Sequence, residues 1–504
     1  MRGAAGLLLA ACVTQAASQE HCKAGLPGVG NAVWLAASGA VPAHCQVTGV
    51  IGAHRGAPAD TQYGNNFRLR IPQQWNGRFV FQGGGGNNGT VGDALGTLKN
   101  GALALAQGYA VAAQDSGHAG RDPSFALDRG AYLDFAHEGV HEVAQASKAI
   151  LKAYAGKAPD YAYFVGCSNG GREAMVTAQR YQDFDGVVAG NPGNEIYDQW
   201  VHNMSVLRMV SRVAGVPAGV APTDTSAAFS DAQLAHAADY FMRKCDRQDG
   251  AADGLMSNYQ ACKAEPADMA ALQCGAAAHC LNPVQTEGLA ELYRVFAPGS
   301  VEAGMRDIYL GVPGSAFPLG SFYKSIMANF YFMGYGFRGY PGLTGPADQL
   351  SSYPASSVPY VAGFDFATEP AKLAPGRRDF HGTEFDAFQK RGGKMLVYTG
   401  SADPAVQASG IMAQMDRIKR PEMARLFVVP GMTHCRGGNT VDGFDQLAPL
   451  AAWVERGIAP KRIEAHTAGR GRPLCAYPHY ARYQGGPVDA AASHACVAPE
   501  GAKP

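Results

Sequence analysis

Residues 160–171 read DYAYFVGCSNGG. An apolar, strand-like run enters Gly166, Ser168 follows at the turn, and Gly170 with Gly171 opens the helix-like GREAMVTAQRYQ. Glycines two before and two after the serine keep side chains out of a cramped turn that pushes the hydroxyl outward. G-x-S-x-G alone is a weak signal; between a strand and a helix it reads as a nucleophile elbow, against the plainer reading of a tight structural turn.

The same grammar extends outward. NGRFVFQGGGG, GYAVAAQDSGH and FDGVVAGNPG are further apolar runs ending in turns, and EGVHEVAQASKAILKAYAG has apolar positions near helical spacing. Strands alternating with helices predict an α/β fold, a doubly wound and mostly parallel sheet covered on both faces. The rhythm stops near Asn194 and returns near residue 384 with RGGKMLVYTGSADP, VQASGIMAQMDRI, ARLFVVPGMTHC and FDQLAPLAAWVERG. The expected organisation is therefore an export signal and lead over 1–19, a core over 20–193, a large inserted lid domain over 194–383, and the rest of the core over 384–504.

A serine hydroxyl near its ordinary pKa needs a general base, and the base an orienting acid. In chain order serine, acid, histidine, with both partners on loops after late strands, the candidates are Asp403 in LVYTGSADP and His434 in LFVVPGMTHC. Asp442 and Asp445 lie near His434 but begin a helix, where capping explains them. His381, His466, His479 and His494 lack the strand-loop context. The developing oxyanion needs donors: the glycine run QGGGGNNG offers Gly84, and the residue after the nucleophile offers the Asn169 amide. No GxxxxGK[ST] pattern turns that run into a phosphate loop.

At 504 residues and 47% hydrophobic, the chain can bury a core larger than one domain. Lys+Arg 42 balance Asp+Glu 42, so no broad cationic surface points to nucleic acid or anionic lipid. MRGAAGLLLAAC reads as a short export signal, too short to span a bilayer. LAAC resembles a bacterial lipobox that would lipidate Cys12; simple export and a fortuitous apolar start are the alternatives. Ten further cysteines form an even set suited to an oxidising compartment. Sequence neighbours suggest Cys22–Cys45, Cys245–Cys262, Cys274–Cys280 and Cys475–Cys496, which leaves Cys167 beside Ser168 and Cys435 beside His434. If serine and histidine meet, these two must also be close, and a Cys167–Cys435 bridge would clamp elbow to histidine loop; separate thiols or other partners are the alternative.

In CDRQDGAADGLMSNYQAC, Asp246, Asp249 and Asp253 crowd one short turn. Unscreened they would repel, and hard oxygen donors suit Ca²⁺, with the carbonyls of Ala251 and Leu255 completing a cage; a solvated acidic turn is the alternative. The spacing is not that of an EF-hand. No His/Cys cluster has zinc spacing.

Together GCSNGGREA, FDGVVAGNPG, CDRQDGAADG, GSADP, GMTHCRGG, DQLAPLAAWVERGIAP and RPLCAYPHYARY resemble the tannase and feruloyl esterase family, including its mono(2-hydroxyethyl) terephthalate hydrolase branch. The resemblance spans most of the mature chain. It implies an α/β-hydrolase fold, a triad of Ser168, Asp403 and His434, the Cys167–Cys435 clamp, oxyanion donors at Gly84 and Asn169, and structural calcium at Asp246, Asp249, Ala251, Asp253 and Leu255. The implied activity is covalent hydrolysis of a small aromatic ester (feruloyl, galloyl or a related benzoate) by a secreted or periplasmic enzyme. The terephthalate branch uses a lid arginine for the free carboxylate, with Arg338 and Lys324 the candidate cations here. That branch also carries glutamate, histidine and phenylalanine where this chain has Asn169, Thr399 and Val406, which disfavours a terephthalate monoester. The aromatic run from Phe317 to Tyr340 is expected to help the lid grip a ring. Rival readings are a peptidase or acyltransferase with the same triad, and a non-catalytic secreted binding protein on a hydrolase scaffold.

Overall fold

The computed structural model describes residues 19–22, 30–121, 123–193, 209, 211–216, 228–293, 384–403 and 406–500. These group into two compact units, one drawn from 1–189 and 382–394, the other from 190–381 and 395–504.

In the first unit seven strands lie side by side: β1 (Asn31–Leu35), β2 (His44–Gly56), β3 (Thr61–Pro72), β4 (Arg78–Gln82), β5 (Ala110–Gln114), β6 (Tyr161–Cys167) and β7 (Gly186–Gly190). Their order is β1-β2-β3-β5-β4-β6-β7. Strands β5, β4 and β6 are parallel, as their near-continuous apolar sequences predict; every residue of β5 and β7 is buried. Strands β1, β2 and β3 form an antiparallel arm that meets β5 antiparallel.

Helix α1 (Arg129–Leu133) is capped by Asp128, which accepts from the Ala131 amide at 2.9 Å. In α2 (Gly139–Ala155), Val140, Val143, Ala144, Ser147, Ile150, Leu151 and Tyr154 make one buried face, and Gly156 ends the helix at φ 75°. Helix α3 (Asn169–Arg180) is buried from Asn169 to Ala178 and packs on β6. Beneath it Phe79, Phe81, Phe164 and Phe184 form an aromatic core, Phe81 stacking on Phe164 at 5.4 Å. The pairing places Phe81 beside Phe164 and Gln82 beside Val165, and Gly83 extends the ladder by donating to the Val165 carbonyl at 2.9 Å. The glycine run and the serine turn therefore leave neighbouring strands at the same level.

The second unit contains α4 (Asp231–Cys245), opened by a Ser230–Gln233 capping box, then α5 (Pro266–Leu272) and α6 (Pro283–Tyr293). Strands β8 (Lys394–Gly400) and β9 (Ala424–Val429) run parallel in continuous register from Met395↔Ala424 to Gly400↔Val429. Helices α7 (Ala408–Ile418) and α8 (Leu447–Arg456) follow them. Asp445 caps α8, accepting from the Leu447 and Ala448 amides at 2.9 Å each. Hairpin β10 (Arg462–Thr467) with β11 (Arg470–Cys475) and the pair β12 (Tyr480–Tyr483) with β13 (His494–Val497) complete it.

Disulfides join Cys22–Cys45, Cys245–Cys262, Cys274–Cys280 and Cys475–Cys496. Cys167 and Cys435 are each disulfide-bonded as well. Among the described residues no helix is long and apolar enough to cross a membrane.

Candidate active site

Ser168 sits at φ 62°, ψ −123°, a strained backbone for a residue with a Cβ and the conformation that lifts a nucleophile off its strand. The flanking glycines are required sterically. A Cβ on Gly166 would lie 2.4 Å from the Gly170 carbonyl oxygen, and one on Gly170 would lie 2.6 Å from that of Gly84. Asn169 heads α3, where a first-turn N–H has no partner within the helix and the helix dipole favours negative charge. Its side chain turns inward, accepting from Arg172 Nε at 2.6 Å.

The glycine loop corrects one expectation. The Gly84 amide donates to Glu173 Oε2 at 3.0 Å, so its only proton is directed at a buried carboxylate and not at a reacting oxygen. Gly85 and Gly86 face open space, a Cβ on either meeting no atom within 4 Å among the described residues. Asn88 closes the turn, its amide donating to the Gly85 carbonyl at 3.0 Å.

In the second unit, the in-register ends of β8 and β9 present Asp403 and His434 on neighbouring loops. His434 Nδ1 lies 2.8 Å from Asp403 Oδ2. The same oxygen accepts from Asn191 Nδ2, and Oδ1 accepts from the Val406 amide at 2.9 Å. Two further bonds lace the loops together, Ala402 N to Met432 O at 3.1 Å and Gly431 N to Ser401 Oγ at 2.8 Å. The Asp403 side chain is fully buried whereas that of His434 is 32% exposed. Burial disfavours a charged imidazole, but the charge and hydrogen bond of Asp403 outweigh it and hold the His434 pKa above its usual value. A buried carboxylate that fixes the tautomer and leaves Nε2 to act is what a general base requires.

Asn191, in FDGVVAGNPG, was not singled out from sequence, and neither was Glu173. The signal for Asn191 in the sequence is a polar residue close behind the apolar run GVVAG; in the structure it sits at φ 36° directly after the wholly buried β7.

The acidic turn is part of the second unit. Asp246 and Asp249 are buried. Asp246 accepts from the Gly254 amide at 3.0 Å, Asp249 from the amides of Ser257 at 2.8 Å and Ala251 at 3.2 Å, and Asp253 from that of Leu255 at 2.9 Å. Burial, with the charge of Asp253 adding, raises Asp246; burial and the charges of Asp253 and Asp246 raise Asp249 to about 6. Buried, like-charged oxygen donors fit a hard cation in kind. Asp253 is also ion-paired with the buried Arg472, and the three carboxylates do not gather within 4.8 Å. Cys274, His279 and Cys280 do cluster that closely, but the two sulfurs are bonded to each other and are not thiolate ligands.

The family described as tannase and feruloyl esterase matches residues 45–330 and 378–497. The chain belongs to this family. Among relatives of this tannase-family chain is a mono(2-hydroxyethyl) terephthalate hydrolase from Piscinibacter sakaiensis, 35% identical, covering 96% of this chain and 92% of the relative. A probable feruloyl esterase from Arthroderma benhamiae is 29% identical over 85% of this chain and 81% of its own length. The solved feruloyl esterase B from Aspergillus oryzae superposes with TM-score 0.74 at 21% identity, covering 95% of this chain and all of that one. Tannin acyl hydrolase from Aspergillus niger gives 0.69 at 19% identity, covering 96% and 95%. The fold is that of the α/β-hydrolases, and the tannase-family chain is a carboxylesterase.

Of the remaining expectations, the signal with Cys12, the cations Lys324 and Arg338, His381 and the aromatic run Phe317 to Tyr340 lie outside the described residues. Thr399 and Val406 are buried.

Proposed function

We propose that this carboxylesterase hydrolyses small aromatic esters, of feruloyl, galloyl or related benzoate type, through a covalent acyl-enzyme. The observation that carries the reading is Ser168, held at φ 62° between β6 and the N-terminus of α3. Its hydroxyl attacks the ester carbonyl while His434, oriented by Asp403, takes the proton and passes it to the leaving alcohol. Water activated by the same histidine then releases the acid. The Asn169 amide is one oxyanion donor, and with the Gly84 proton directed elsewhere, Gly85 takes its place as the other. The reading joins Cys167 to Cys435 as the clamp between elbow and histidine loop, supported by both being disulfide-bonded. Residues 194–383 are assigned as the lid.

Calcium held by Asp246, Asp249 and Asp253, with the carbonyls of Ala251 and Leu255, would be structural, neutralising buried like charge. The disulfides suit an oxidising compartment, which supports a secreted or periplasmic enzyme, with Cys12 as the residue a lipid anchor would use.

A second reading, terephthalate-monoester hydrolysis, is favoured by the 35% identical relative and disfavoured by Asn169, Thr399 and Val406. Turnover of methyl ferulate, methyl gallate, simple benzoates and a terephthalate monoester, with Ser168→Ala as blank, separates the two. Hydrolysis of the first three classes is expected; strict preference for the monoester selects the second reading, and full activity in the blank rejects both.

A further inference from the structure

Glu173 lies one helical turn beyond Asn169, on α3, and is 1% exposed. Four donors surround its carboxylate. Oε2 accepts from the Gly84 amide at 3.0 Å; Oε1 accepts from Asn88 Nδ2 at 2.8 Å, Ser116 Oγ at 3.2 Å and Asn169 Nδ2 at 3.4 Å. The Ser116 hydroxyl itself accepts from Asn88 and from Gln114 at 3.3 Å, which commits its proton to Glu173. Neighbouring Arg172 points its guanidinium to Asn169 Oδ1 and to the carbonyls of Ala136 and Phe135. The carboxylate is thus met by neutral donors from the loop, from Ser116 and from the residue after the nucleophile.

Burying a carboxylate carries a desolvation cost before its hydrogen bonds are counted, and apolar packing would fasten a loop to a helix with less penalty. What apolar packing cannot do is aim a peptide plane. One carboxylate oxygen fixes Gly84 and the other fixes Asn88, whose own amide closes onto the Gly85 carbonyl. Gly85 therefore lies in an arc held at both ends, with its open side unencumbered. The Asn169 side chain is tied to the same carboxylate, so both backbone donors of the proposed oxyanion site are referred to one anchor.

We propose that Glu173 is a positioning residue for ester hydrolysis: its buried carboxylate sets the glycine loop and the first turn of α3 in the mutual geometry that aims the Gly85 and Asn169 amides at one point. The proposal rests on the acyl-enzyme reading above. Glu173→Gln is nearly isosteric but replaces an acceptor by an NH₂ that faces other donors, so the arc must turn away.

In the purified full chain, kcat of Glu173→Gln on the best ester of the panel should fall about 100-fold, the scale of losing one oxyanion donor, with KM changed by less than about threefold. Affinity for an arylboronic acid, which forms a tetrahedral anionic adduct on the serine, should fall in proportion to kcat/KM, while affinity for the product carboxylate holds. Glu173→Asp, which keeps the charge on a shorter arm, should recover part of the loss. A folded Glu173→Gln with wild-type kcat, or equal losses of boronate and product affinity, would overturn the proposal. Should that variant fail to fold, Asn88→Ala releases the far end of the arc and must show the same split; wild-type kinetics there overturn the proposal equally. Failure of the underlying reading shows differently, as wild-type protein that a fluorophosphonate does not label and a Ser168→Ala variant that still turns over.

Discussion

Three hydrogen bonds converge on the buried carboxylate of Asp403, from His434, Asn191 and Val406, and the charge they localise holds the imidazole pKa above its ordinary 6.5. A base must be neutral to accept a proton, so the acid limb of kcat/KM should lie above pH 6.5, and Asp403→Asn should move the limb down while lowering the plateau about 10⁴-fold. The linkage runs the other way for stability. A histidine raised in the folded state stabilises below its unfolded pKa, and that contribution is lost as pH rises through the folded pKa. A pH–rate profile with unfolding midpoints at each pH checks both; an acid limb that does not move in Asp403→Asn would refute the pairing as its cause. At this scale the pairing of Asp403 with His434 was legible because each follows a recognisable strand. Asn191 and Glu173 were not, because a buried polar side chain betrays itself only through partners distant in sequence, such as Asp403 for Asn191 and Gly84 for Glu173.

At the scale of elements, strands β4 to β9 were readable as apolar runs ending in turns. The antiparallel arm was not: β3 carries Gly64, Asn65 and Asn66, which resemble a turn, although Asn65 is wholly buried and only Phe67, Leu69 and Ile71 keep the alternation. The elbow's geometry is enforced by contact between backbones. Gly170→Ala would drive a methyl to 2.6 Å from the Gly84 carbonyl oxygen, so it should destabilise by about 1–3 kcal/mol and lower kcat by displacing the glycine loop; thermal melts and kinetics together test this, and an unperturbed variant would show that the loop yields freely. The acidic turn offers a second test. Carboxylates raised by burial, Asp249 to about 6, destabilise the fold increasingly as pH rises from their unfolded pKa through the folded one. If calcium relieves them, chelation should lower the melting temperature more at about pH 7.5 than at about pH 5, and excess calcium should restore it, by about 2.7 kcal/mol at a hundredfold excess over Kd. A melt indifferent to chelator at both values would reject the ion.

For the whole molecule, the elbow and the histidine loop come from widely separated parts of the sequence, and each holds one residue in a similar state: Ser168 at φ 62° and Cys435 at φ 63° both occupy left-handed backbone that only surrounding constraints can hold. Cys167 and Cys435 supply such a constraint in the proposed bridge. Closing so long a loop is worth roughly 4 to 5 kcal/mol in the chain-entropy account, yet the larger consequence is kinetic, since drift of the base by an ångström costs far more rate than stability. Reduction of this bond, verified by mass spectrometry, should therefore lower kcat well before the far-ultraviolet circular dichroism changes, and KM should move less than kcat. The paired Cys167→Ala and Cys435→Ala variant should behave like the reduced enzyme without any reductant, which separates the loss of this bridge from damage to Cys22–Cys45, Cys245–Cys262, Cys274–Cys280 or Cys475–Cys496. If the double variant turns over at the wild-type rate, the bridge contributes stability alone and has no part in positioning the base.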